Sequence, residues 1–112
     1  MIESEVAKAR TEALFRDVNE RIAETSAGFD GVMTQFVCEC SDAGCVHRIE
    51  ATRDEYEDVR NDGATFLLAP GHADHEIESI VEDRGRFHVV EKFQRTVRAT
   101  VRRLNPRPEW PS

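Results

Sequence analysis

The chain has three cysteines, and all of them fall in one eight-residue stretch, Cys38-Glu39-Cys40-Ser41-Asp42-Ala43-Gly44-Cys45. An odd number of clustered thiols makes a poor disulfide framework and a good start on a metal site. Side chains alternate along a strand, so Cys38 and Cys40 point to the same side of an extended segment. Residues 41–44 have the composition of a turn and can fold Cys45 back onto that side. Three thiolates would then converge. Zinc asks for a fourth ligand to close a tetrahedron, with sulfur at about 2.3 Å and imidazole nitrogen at about 2.0–2.1 Å. The sequence offers four histidines: His47, His72, His75 and His88. His47 would close a compact C-x-C-x4-C-x-H site. His72 sits in the Pro70-Gly71-His72 turn after an apolar run. Ligation from there would staple two distant parts of the chain, and the longer closure removes more unfolded-state entropy. The expected metal set is therefore Cys38, Cys40, Cys45 and His72, with Zn2+ as the cofactor. His47, His75 or a water are the alternatives at the fourth position. The plainer alternative is three idle thiols that behave as small hydrophobes.

The 112 residues and 39% apolar content suit one soluble domain with a modest core. No run approaches the roughly 20 apolar residues of a membrane span. The first fifteen residues carry acids where a secretory signal carries bases, so a cytoplasmic location is expected. Charge is uneven. Residues 1–91 hold 21 acids and 9 bases, whereas residues 92–108 hold six bases (Lys92, Arg95, Arg98, Arg102, Arg103, Arg107) and no acid. An acidic body repels phosphate backbones. Contact with nucleic acid would therefore have to run through the basic tail, whose simplest role is to be solvated and partly neutralised by the body.

Residues 3–26 read as a helix, with Val6, Ala9, Ala13, Phe15, Val18 and Ile22 as its apolar stripe and Gly28 or Gly31 as its stop. Residues 32–38 and 46–51 read as strands around the 41–44 turn. Thr52 and Glu55 form a capping-box signature for a helix that runs to about Asn61, with Tyr56 and Val59 inward. Residues 64–69 read as a buried strand. Residues 77–82 and 87–92 read as a hairpin about Asp83-Arg84-Gly85-Arg86. Phe93, Val97, Val101 and Leu104 recur at helical spacing, and the proline-rich end containing Trp110 reads as flexible. The expectation is an α+β fold: an N-terminal helix, a small antiparallel sheet with one inserted helix, a zinc-stapled loop and a C-terminal amphipathic helix. Residues 1–92 form the domain, and residues 93–112 form a basic helical or flexible tail.

Other chemistries have weaker support. A catalytic zinc needs an open position and a nearby carboxylate base, for which Glu39 and Glu76 are candidates. The zinc-deaminase signature is absent, and so are phosphate-binding glycine loops. A thiol redox role meets acidic neighbours, Glu39 and Asp42, which disfavour a thiolate, although oxidation of zinc thiolates can release metal. The acidic helix bearing Asp54, Glu55, Glu57 and Asp58 reads as a solvated face.

The C-x-C-x4-C spacing is similar to that of the post-SET zinc motif, where a distant residue completes the site; no SET-like sequence accompanies it in this chain. Several segments together resemble a group of short uncharacterised bacterial proteins, mostly actinobacterial. They are EALFRDVNERI (12–22), FVCEC (36–40) with Cys45, RIEAT (48–52), DEYEDVR (54–60), TFLLAPGH (65–72) and VVEK (89–92). The resemblance implies Cys38, Cys40, Cys45 and His72 as one set, implies no activity, and does not extend past Lys92. These features together predict a non-enzymatic zinc-binding domain, a protein-interaction or regulatory module with a protein partner. A nucleic-acid binder acting through the basic tail and a thiol/zinc redox sensor are the alternatives.

Overall fold

A computed structural model describes residues 2–28 and 31–107, with side chains from residue 4 onward. Trp110 and the last prolines lie outside the described residues. The chain forms α1 (Ile2–Thr25), β1 (Met33–Val37), β2 (Arg48–Thr52), α2 (Arg53–Val59), β3 (Thr65–Leu68), β4 (Glu78–Asp83), β5 (His88–Lys92) and α3 (Arg95–Arg103). This is an α+β fold, and each element lies within about two residues of its expected place, the usual uncertainty of element ends.

The strands divide between two antiparallel sheets instead of forming one. One is the β1–β2 hairpin, in register Met33↔Thr52 to Val37↔Arg48. The other has the order β3-β5-β4, with a bulge between Ile80 and Glu82. The reason lies at Glu39. Its amide donates to the Leu67 carbonyl (2.8 Å), as a strand neighbour would, but the Leu67 amide donates to the Glu39 Oε1 carboxylate oxygen (2.9 Å). A side chain thus replaces a carbonyl in the ladder. At Glu39 the two sheets meet without a continuous backbone register.

The capping box forms as expected. Thr52 Oγ1 accepts from the Glu55 amide (3.1 Å), and Glu55 Oε1 accepts from the Thr52 amide (2.8 Å). Tyr56 and Val59 turn inward, and the Tyr56 ring stacks on Phe36 at 4.7 Å between centroids. Gly28 has φ +92° at the end of α1, a left-handed stop that a side chain would strain.

The inward face of α1 differs from the expected stripe. Ala9 and Ala13 are buried and Ile22 packs on the core, but Val18 is 39% and Leu14 62% exposed. The positions turned inward are Ala9, Glu12, Ala13, Arg16, Asn19 and Ala23. They hold helical spacing, but three of them are polar, so a search for apolar periodicity finds a neighbouring face. Each of the three side chains has a partner in the core. Arg16 donates Nη1 to Gly63 O and Nη2 to Val101 O, both at 2.9 Å, and lies over the Phe66 ring. The Val101 carbonyl belongs to the last turn of α3, where helix carbonyls lack internal donors. Arg16 therefore clamps α3 to α1, with Val97, Thr100 and Val101 buried between them. Burial lowers the Arg16 pKa from its ordinary value.

Glu12 meets Lys92 from β5, and the same ammonium meets Glu78 from β4. All three side chains are fully or almost fully excluded from water. Two carboxylates and one ammonium leave a surplus negative charge in a low-dielectric place, a costly arrangement. Burial, with the Glu78 charge adding to it against the opposing pull of Lys92, pushes Glu12 up to about 7. The folded state then holds a proton that the unfolded chain has already released, and stability falls as pH rises from the ordinary carboxylate range toward 7. Glu12→Gln leaves one ammonium against one carboxylate. Urea unfolding of this variant should show a flatter stability profile between about pH 4.5 and 7.5 than the parent and at least equal stability above that window; a parent-like slope in the variant would contradict this account of the triad.

Candidate metal centre

The hairpin β1–β2 continues past its strands, since the Cys38 amide donates to the His47 carbonyl (3.2 Å). The loop between these residues carries the three cysteines. Cys38 and Cys40 face the same side and are buried, as the alternation requires. The return of Cys45 is built by a tight turn. The Cys45 amide donates to the Asp42 carbonyl (3.0 Å), and the Gly44 amide donates to Asp42 Oδ1 (2.9 Å). Asp42 thus acts as the turn-former that its type favours.

A second turn supplies the histidine. The His72 amide donates to Ala69 O (3.1 Å), with Pro70 and Gly71 between them and Gly71 at φ +84°. This is the type II pattern, proline first and a positive-φ glycine second. It sends the chain back from the end of β3 and presents His72 to the cysteine loop. His72 Nδ1 lies 3.6 Å from both Cys38 Sγ and Cys45 Sγ. The donor atoms of Cys38, Cys40, Cys45 and His72 all fall within 4.8 Å of one another, close enough to hold a metal ion.

The two sulfur–nitrogen separations of 3.6 Å, to Cys38 and to Cys45, are short enough for His72 Nδ1 and both sulfurs to reach one metal ion. The thiols resist ionisation on their own. Burial, and then the neighbouring thiols, push Cys38 up from its ordinary value, and burial does the same to Cys40. Three thiolates at such spacing need a cation to exist together. Cys38 also receives the Ala69 amide at 3.2 Å, a fixed dipole that favours its anionic form and ties the cysteine loop to the end of β3.

The remaining histidines take other places. The His47 ring is exposed and stands edge-on to His72 with centroids 4.4 Å apart, a neighbour of the group rather than a member of it. His75 is exposed. His88 lies on β5 beside Asp83 at 3.4 Å. Neither candidate base joins the donor set. Glu76 is 86% exposed and 4.0 Å from Lys8. The alternation that aligns Cys38 with Cys40 turns Glu39 the opposite way, into the core.

Sequence reasoning missed the role Glu39 plays there. Its Oε2 accepts from Tyr56 OH (3.1 Å) and Asn19 Nδ2 (2.9 Å), while Oε1 accepts from the Leu67 amide. Asn19 also bridges to Val37, donating to its carbonyl and accepting from its amide, both at 2.8 Å. One residue between two metal-site cysteines thus ties α1, α2 and β3 to the loop. The signal available in sequence was a glutamate flanked by inward-facing cysteines on a strand, which alternation sends to the opposite face. Burial raises the Glu39 pKa, and its hydrogen bonds from Leu67 and Asn19 oppose that shift.

Compared with known proteins, the chain matches no family model, no curated protein and no solved structure.

Removing the Glu39 carboxylate strands three buried donors. Glu39→Ala should cost about 3 kcal/mol or more in urea unfolding, with a weaker metal affinity as the loop loosens. An Ala variant within about 0.5 kcal/mol of the parent would show that Glu39 does not organise the loop.

Proposed function

We propose that the chain is a small structural-zinc domain, with Cys38, Cys40 and Cys45 as thiolate ligands and His72 as a neutral imidazole ligand through Nδ1. The observation that carries this reading is the pair of 3.6 Å sulfur–nitrogen separations to His72. Four protein donors fill the four positions zinc prefers, which is the pattern of closed structural sites. The ion would staple the tip of the β1–β2 hairpin to the end of β3, across 27 to 34 residues of chain, and so supplement a modest core.

The role we assign is that of a non-enzymatic, cytoplasmic module that acts by contact with a protein partner. The carboxylate nearest the ligands in sequence is engaged in the core, which supports a structural rather than a catalytic ion. Surfaces suited to contact include Leu14 and Val18 on the outer face of α1 and a groove of about 200 Å3 between α2 and the β4–β5 hairpin, lined by Asp58, Val59, Glu82 and Phe87 among others. The same reading extends to the bacterial group that the chain resembles, with these four ligands shared. Among the described residues, no helix is long and apolar enough to cross a membrane.

The nucleic-acid alternative draws less support. Arg98 faces Glu91, Arg102 faces Asp62, and Arg107 faces both Glu20 and Glu57. The basic segment meets the carboxylates of its own body, and the pairing with Glu57 and Glu20 raises Arg107 above its ordinary value.

Elemental analysis of the protein purified without added metal should give about one zinc per chain, and chelation should lower the thermal midpoint by more than about 10 °C. His72→Ala should weaken zinc binding at least about tenfold, whereas His47→Ala should leave the stoichiometry unchanged. A metal-free protein whose midpoint ignores chelator would overturn the structural-zinc reading.

A further inference from the structure

The three cysteines are not equivalent. Cys38 and Cys40 are 1% and 2% exposed, whereas Cys45 is half-buried on the outer side of the group. Cys38 Sγ also receives the Ala69 amide. A hydrogen bond to a thiolate withdraws charge from sulfur and lowers its nucleophilicity. Cys45 Sγ, like Cys38 Sγ, has the half-buried His72 ring beside it at 3.6 Å. Cys45 is therefore the most accessible of the three sulfurs, without the amide hydrogen bond that quiets Cys38. Its tether, the turn 42–44, is exposed, and Cys40 Sγ lies 4.0 Å from the Asp42 carbonyl at the start of that turn.

Resting on the structural-zinc reading, we propose that the site is a peroxide-sensitive switch in which Cys45 is the reacting sulfur and Cys40 the resolving one. Cys45 Sγ attacks one oxygen of hydrogen peroxide. An S–O bond forms, the O–O bond breaks, and hydroxide leaves, so that the cysteine becomes a sulfenic acid. Cys40 Sγ then attacks Cys45 Sγ, the S–O bond breaks, and a second hydroxide leaves with formation of the disulfide. Two thiolates have supplied the two electrons that reduce one peroxide, and solvent protons convert both hydroxides to water. The sulfur atoms begin no more than 4.8 Å apart and close to about 2.05 Å. Cys38 and His72 alone cannot hold the ion, and it passes to solvent. A dithiol reductant reverses the step by exchange and restores the ligands.

The functional consequence follows from where the ion would sit. Its loss would release the hairpin tip from the Pro70-Gly71-His72 turn, while the Glu39 hydrogen bonds would still tie the loop base to β3. The expected change is a local opening of the loop rather than global unfolding.

The test uses the full zinc-loaded chain, peroxide, a chromogenic chelator and peptide mapping. Zinc release should track disulfide formation one for one, the disulfide should map to Cys40–Cys45, and substoichiometric alkylation should label Cys45 first. Dithiol plus zinc should restore the starting state. First labelling at Cys38 or Cys40, a disulfide mapped to another pair, or retention of zinc through peroxide would overturn this proposal and leave the structural site standing. A chain without metal before peroxide is added would overturn both.

Discussion

The alternation of side chains across residues 38–40 is the constraint on which most of the structure depends. Three consecutive extended residues place two sulfurs on one side and a carboxylate on the other. On the sulfur side, Cys38 and Cys40 join Cys45 and His72 in a group close enough to hold a metal ion. The carboxylate side becomes a hub for Asn19, Tyr56 and the Leu67 amide. Because one backbone segment carries both, the geometry of the donors is coupled to the packing of α1, α2 and β3. Buried carboxylates are costly unless fully hydrogen-bonded, and the three donors at Glu39 offset that cost while fixing the orientation of its neighbours.

The same matching of polar groups recurs along α1. Its inner face carries Glu12, Arg16 and Asn19, each matched to a different part of the fold: the β4–β5 pair, the α3 carboxyl end and the β1 strand. A helix with an apolar face could slide or rotate against a sheet at small cost. A helix held by three distinct polar matches has one register, because any shift leaves buried groups unpaired. Stability is given up at Glu12, where the charges do not balance, and specificity of docking is the physical return. The Cys38, Cys40, Cys45 and His72 group lies where the cysteine loop meets the end of β3, a further place at which distant segments come together.

Parts of this arrangement were legible in the sequence because they rest on local rules. The capping box at Thr52 and Glu55, the left-handed glycine after α1, the Pro-Gly turn before His72 and the Asp42 turn before Cys45 each need only neighbours in the chain. The choice of His72 over His47 was legible only as a preference. Both histidines stand beside the cysteines, and what separates them is the path of β3, which brings His72 Nδ1 onto two sulfurs and leaves His47 edge-on outside. The polar inner face of α1 and the division into two sheets were not legible. Each depends on a partner distant in sequence: Lys92 for Glu12, Val101 for Arg16, Leu67 for Glu39.

The sequence by itself determined the element types, the α+β class and the donor chemistry, because helical and strand periodicity, turn composition and thiol spacing act over a few residues. Only the tertiary structure decided which face of α1 is buried, how the strands partition, which histidine joins the cysteines and that Glu39 serves the core. Those outcomes are set by hydrogen bonds and ion pairs whose partners meet only after the chain has folded, and a buried polar group carries no mark in the sequence of the partner that will satisfy it.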